Sequence, residues 1–137
     1  YMKGAWVMHT LRSAINNDTI WFGILKEFMT ENAKGFADTK DFFNKVNEKT
    51  GDDYWYFAEQ YFYTPNQPEL EFYQNDDKFY YRWLNVNENF VMPLDLLVNG
   101  KIRRVFPKKN FQSLEIKKHS QIEVMDWKFY VKPIQKK

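Results

Sequence analysis

The sequence predicts an α+β fold in which helices come first and strands follow, and three observations carry that prediction. Apolar residues recur at helical spacing up to residue 63, the run Thr64-Pro65-Asn66-Gln67-Pro68 then breaks the pattern, and beyond it the period changes from 3.6 to 2. Charge shifts at the same place: residues 1–66 hold 7 Lys/Arg against 9 Asp/Glu, net −2, whereas residues 67–137 hold 13 against 9, net +4. The boundary divides the chain into a helical unit, 1–66, and a strand unit, 67–137, both small for independent domains.

The helices follow in order. Val7, Leu11, Ala14 and Ile15 form one apolar stripe, and the Asn16-Asn17 pair ends it. Asp18 reads as the N-cap of a second helix, whose stripe is Trp21, Ile24, Leu25 and Phe28, with Gly35 closing the region. Asp38 or Thr39 caps a third helix through Phe42, Phe43 and Val46, and Gly51 supplies the left-handed residue that ends it. Asp52 or Asp53 caps a fourth, which buries Tyr54, Phe57, Ala58 and Tyr61 and turns Glu59 and Gln60 away.

Strands are expected at 69–75, 78–86, 91–98, 101–106, 111–118, 121–125 and 128–133. Turns fall at Asp76-Asp77 and at Asn99-Gly100, the latter a strong hairpin signal because both residues tolerate positive φ. Seven short strands point to a small β-sandwich.

Composition excludes several classes. Without cysteine there are no disulfides and no thiolate catalysis, and such a chain suits reducing and oxidising compartments alike. No apolar run reaches the length of a bilayer span, so no membrane association is expected. A net charge of +2 gives no case for nucleic acid, and alternation along strands scatters the pairs Arg103-Arg104, Lys108-Lys109 and Lys117-Lys118. Aromatic residues make up 20% of the chain and fall at periodic positions, which assigns them to packing rather than to a glycan- or base-stacking surface. Tyr1, in place of a methionine or a signal peptide, reads as a cut end. His9 and His119 stand at no metal-ligand spacing, and Asp52-Asp53 reads as a helix cap rather than an acid–base pair.

The opening Tyr1-Met2-Lys3-Gly4-Ala5 resembles the Tyr-x-Lys-Gly-Ala motif that starts a helix in aminopeptidase N relatives, the gluzincin metallopeptidases. The likeness continues through Asp18 to Trp21, Thr39, Asp41 and Phe42, then Glu48, Thr50, Gly51 and Asp53, and the helix around Phe57, Gln60 and Tyr61 before Pro68. Weaker matches follow at Val91-Met92-Pro93-Leu94 and Asp126-Trp127-Lys128. Asn66 stands where relatives place glycine, and Tyr61 where they place tryptophan.

The resemblance implies that residues 1–66 end a thermolysin-like catalytic domain and that residues 67–137 form the β-sandwich after it. It implies an enzyme that removes N-terminal residues from peptides, with Tyr1 donating a hydrogen bond to the oxyanion formed as a zinc-activated water attacks. Lys3 and Gly4 would shape the approach to that helix. The family's zinc ligands, a His-Glu-x-x-His helix and a later glutamate, would lie before Tyr1. The chain by itself is therefore expected to bind no zinc, to be inactive, and to need the N-terminal part of the catalytic domain as its partner. Two other readings stand beside this one: a non-catalytic module that binds peptide or glycan, and a purely structural domain.

Overall fold

The computed structural model describes residues 2–32 and 38–136. Within them lie four helices, Met2–Ile15 (α1), Asp18–Glu31 (α2), Thr39–Thr50 (α3) and Trp55–Phe62 (α4), and all seven strands come after the helices. Five of these are Glu69–Asn75 (β1), Lys78–Leu84 (β2), Leu94–Val98 (β3), Lys101–Val105 (β4) and Gln112–Glu115 (β5). The last two are Ile122–Val124 (β6) and Lys132–Gln135 (β7). The fold class is α+β, as the change of period predicts.

The helix boundaries follow local chemistry. Asn16 takes a left-handed φ of 55° and ends α1, and Asn17 rather than Asp18 caps α2, its side-chain oxygen accepting from the Ile20 amide at 3.1 Å. Asp18 instead pairs with Arg12 through two bonds of 2.9 and 2.8 Å that pin the α1–α2 corner. Asp38 caps α3 in a reciprocal box with Asp41, and Gly51 ends it at φ 76°. The fourth helix begins one residue later than a cap at Asp53 requires: Tyr54 is its boundary residue and makes no side-chain cap, although the Asp53 carboxylate accepts from the Trp55 amide at 2.9 Å. Gly35 lies outside the described residues.

The strands form two sheets, one ordered β5-β2-β1-β7 and the other β4-β3-β6. All neighbours are antiparallel except β1 and β7, which run parallel. Asn99 and Gly100 both adopt positive φ, 50° and 82°, and so fix the β3–β4 register with Val98 opposite Lys101 and Asp95 opposite Arg104. Several strands are shorter than the alternation suggests. Asn85 turns to φ 62° and ends β2, Pro93 lacks the amide that would extend β3 backward, and Pro107 follows the end of β4. The last strand begins at Lys132 because residues 126–130 form turns and bends.

Both sheets and all four helices contribute to one buried cluster. Leu70, Phe79 and Trp83 from the larger sheet meet Leu94, Leu96 and Val124 from the smaller, and Leu11, Ile24, Phe43 and Phe57 continue it among the helices. Edge-to-face and tilted aromatic pairs run through this core, from Phe43 and Phe57 by way of Tyr61 to Phe90 and Trp83.

Gln60 departs from the simple helix pattern. It is fully buried rather than turned to solvent, because the chain around residues 85–87 covers α4 on that side. Its amide donates to the carbonyls of Asn66 and Asn85 at 2.9 and 3.3 Å and accepts from the Asn87 amide at 2.8 Å. One neutral side chain thus ties the last helix to the start of the sheets.

Candidate functional site

Tyr1, the residue assigned to catalysis by resemblance, lies outside the described residues. The helix that begins at the next position is described in detail, and its fixation is well defined. Val7, Leu11 and Ala14 are buried along one face of α1. Thr10, fully buried, donates from its hydroxyl to the Trp6 carbonyl at 2.7 Å and accepts from the Tyr130 amide at 2.7 Å. His9 is exposed, with Nε2 3.1 Å from the Trp127 carbonyl oxygen, where it donates as the Nε2–H tautomer. Trp6 packs edge-on against the His9 ring at 5.8 Å, and with Ala5 they line a shallow hollow on the outer face of the helix.

The other end of α1 is held by a buried ion cluster. Arg104 forms a bidentate pair with Asp95, at 2.8 and 3.1 Å, and also donates to the last carbonyls of the helix, Ser13 at 2.8 Å and Ala14 at 3.1 Å. Lys128 adds a bond of 2.7 Å to the second Asp95 oxygen. The Asp95 side chain is only 3% exposed. Burial alone would push its carboxyl upward, but the hydrogen bonds from Arg104 and Lys128 outweigh that and hold it below the ordinary aspartate value. A cation at the carbonyl end of a helix is also favoured by the helix dipole.

The Asn99-Gly100 turn sets Asp95 and Arg104 opposite each other, a sequence signal for this pair that the motif reading does not use. A lone aspartate within the apolar run Val91–Val98 was the second available signal. Strand alternation does separate Arg104, engaged with α1, from the exposed Arg103.

The remaining candidates do not converge. Asp53 serves the start of α4, and the Asp52 carboxylate makes no hydrogen bond within the described residues. His119 is exposed at a left-handed turn residue with φ 64°. A Cβ added at Gly4 would meet no atom within 4 Å, so no contact within the described chain requires glycine there. No group of three or more His, Asp or Glu side chains able to hold a metal occurs among the described residues. Among them, too, no helix is long and apolar enough to cross a membrane.

A solved structure of Legionella pneumophila aminopeptidase A in complex with aspartic acid matches 100% of this chain with a TM-score of 0.75 and 16% sequence identity. The chain has an aminopeptidase-like fold. It spans 18% of the length of that aminopeptidase, and at this identity the likeness concerns the fold. Neither the protein-family models nor the curated proteins give a match.

Proposed function

We propose that this chain is the C-terminal part of a zinc aminopeptidase of the aminopeptidase N type, which hydrolyses N-terminal residues from peptides. Residues 1–66 would complete its catalytic domain and residues 67–137 would form the supporting β-sandwich. The observation that carries the reading is the order of Tyr1-Met2-Lys3-Gly4-Ala5 at the head of α1, in a chain whose whole length has an aminopeptidase-like fold.

The donor set of the described residues does not fit zinc. His9 is engaged with a carbonyl oxygen, His119 sits on an exposed turn far along the chain, and no group of three or more His, Asp or Glu able to hold a metal forms among the described residues. In this reading the metal's ligands come from residues before Tyr1, and the contribution of this chain is electrostatic. The Tyr1 hydroxyl donates to the substrate carbonyl oxygen as that oxygen gains negative charge. A fixed donor there contributes ~3–4 kcal/mol to transition-state stabilisation. The buried anchors of α1 support such a role, since an oxyanion donor acts only if the helix that carries it is held in place.

The test is Tyr1→Phe in the full-length protein, which keeps the ring and deletes the hydroxyl. Turnover is expected to fall roughly a hundred- to a thousandfold, with KM and zinc content little changed. Near-normal turnover would remove Tyr1 from the mechanism, and loss of zinc would make its role structural. The 137-residue chain by itself is expected to show neither stoichiometric zinc nor aminoacyl cleavage.

A further inference from the structure

A cleft of about 440 Å³ opens between the C-terminal end of α1, the start of α4 and β4 at Arg104. Tyr54 and Tyr56 line it, 8% and 7% exposed. Neither hydroxyl has a hydrogen-bond partner among the described residues, whereas the equally buried Tyr61 donates to the Tyr130 carbonyl at 2.8 Å. Trp83 Nε1 is the sealed side-chain polar atom without a partner in the described chain, so the Tyr54 and Tyr56 hydroxyls are not fully sealed. Their rings are fixed, lying 5.9 Å apart, with Tyr56 edge-on to Phe90 at 5.7 Å. Two rigid phenols therefore line the cleft, and nothing within the described chain uses their hydroxyls.

The charge around the cleft decides what it can hold. Arg104 lies in its wall, but four of its five N–H bonds are committed to Asp95, Ser13 and Ala14. Asp95 in turn pairs with both Arg104 and Lys128. The Asp52 and Asp53 carboxylates also line the cleft; Asp52 is unengaged among the described residues, and Asp53 uses one oxygen on the Trp55 amide and on Asn47. Arg104 and Lys128 against Asp95 leave +1, so with Asp52 and Asp53 the sum around the cleft is −1. At Tyr54, burial raises the hydroxyl above the ordinary tyrosine value and the Asp52 charge adds to the rise by more than Arg104 takes away; at Tyr56, burial and Tyr54 raise it, and Arg104 opposes by more than Asp52 or Asp53 singly adds. The rim is apolar: Val91 and Phe106 are 59% and 60% exposed there.

We propose that this cleft binds an organic cation, a primary ammonium or guanidinium group carried on an apolar body. The cationic head would lie between the Asp52 carboxylate and the two phenol oxygens, with the body against Val91 and Phe106. An anion would meet two carboxylates and find one spare donor on Arg104. The volume suits a single side chain or a small aromatic amine. A free amine and a lysine or arginine side chain on a peptide offer the same chemistry. The proposal does not rest on the peptidase reading.

The experiment is a titration of the isotope-labelled 137-residue chain with 2-phenylethylamine, 3-phenylpropionate and 2-phenylethanol, followed by amide chemical shifts. The amine is expected to saturate, with shifts confined to residues 52–56, 91 and 104–106, and the carboxylate is expected not to saturate. Asp52→Asn, a change at an exposed position, should weaken amine binding roughly threefold to tenfold. Tyr56→Phe should weaken it as well while leaving spectral dispersion intact; if that variant fails to fold, Asp52→Asn decides. Equal binding of the carboxylate, shifts elsewhere, no saturation, or an unaffected Asp52→Asn variant would each overturn the proposal. A parallel arm with Nα-acetyl-lysine amide identifies the source: tighter binding than phenylethylamine supports a peptide side chain, and weaker binding supports a free amine.

Discussion

Two ion clusters hold helices in this molecule, and they differ in which partner water can replace. At the end of α1, Asp95 is the buried member, its side chain 3% exposed, and two cations converge on it. Between α2 and α3 the central group is Lys45, which meets Glu27 at 3.2 Å, Glu31 at 2.8 Å and Glu48 at 3.8 Å, while Lys49 also pairs with Glu27. The Lys45 stem is covered by the two helices, but its ammonium emerges among carboxylates that are 35% to 64% exposed. Its hydrogen bond to Glu31, against desolvation and with help from Glu27, raises it above the ordinary lysine value. Water can take over from any one glutamate there. No solvent stands ready to take over from Arg104 at Asp95. The chemistry of the pairs is alike and both central groups are buried, so accessibility of their partners, rather than the number of bonds, should rank their importance.

The sharpest way to break that ranking is Arg104→Met, which keeps most of the stem and removes the guanidinium. It leaves Asp95 buried with Lys128 alone and strips the Ser13 and Ala14 carbonyls of their donor. The expected loss is about 3–5 kcal/mol by urea denaturation near neutral pH. The sign of its pH dependence follows from Asp95, whose folded carboxyl lies below its unfolded value. That contribution is fully present above the unfolded value, about 3.9, and is lost as pH falls through the lower folded one. The gap between wild type and variant should therefore narrow below about pH 4. A gap that stays constant down to the acid transition would show that the loss comes from packing, not from the charge.

A neutral network tests whether burial alone gives such an effect. Gln60→Leu keeps approximate volume but leaves the Asn66 and Asn85 carbonyls and the Asn87 amide without their partner. The expected loss is about 2–3 kcal/mol, below that of Arg104→Met because no full charge is stranded. Hydrogen exchange should accelerate first around residues 85–87. A variant as stable as wild type would mean that solvent reaches this junction freely.

These two residues also mark where the sequence could and could not be read. The Asp38 and Gly51 helix ends, the Asn99-Gly100 turn and the change of period at residues 64–68 were legible because each is set by local backbone chemistry. Gln60 escapes the pattern because periodicity assumes a helix with one covered face, and α4 is covered almost all round, with Tyr56, Phe57, Ala58, Gln60 and Tyr61 all buried. Asp18 fits the cap pattern as well as Asn17 does because the two stand side by side, and only the chain path decides which one reaches the amide. Tyr54 lies on the apolar face that periodicity predicts and Tyr56 does not; both rings are buried, and the cleft beside them depends on a wall that β4 supplies from far along the chain. The candidate catalytic residue, Tyr1, was legible only through a motif, since a single tyrosine has no periodic or spacing signature.

The smallest effect is expected from Glu31→Gln, and it sharpens the comparison from the other side. The Lys45 ammonium would lose its 2.8 Å partner yet keep Glu27, with Glu48 near and water at hand. Glutamine retains a carbonyl oxygen that can accept the same hydrogen bond, so the change removes charge and little else. Because the lost attraction lies at the surface, added salt should already have screened most of it, and the difference from wild type should shrink between low and physiological ionic strength. Urea denaturation at both salt concentrations is the measurement. The loss should be no more than about one-fifth of that for Arg104→Met. A loss equal to that of Arg104→Met, or one indifferent to salt, would mean that the α2–α3 cluster is shielded from solvent despite its exposed glutamates, and accessibility would then fail as the ranking principle.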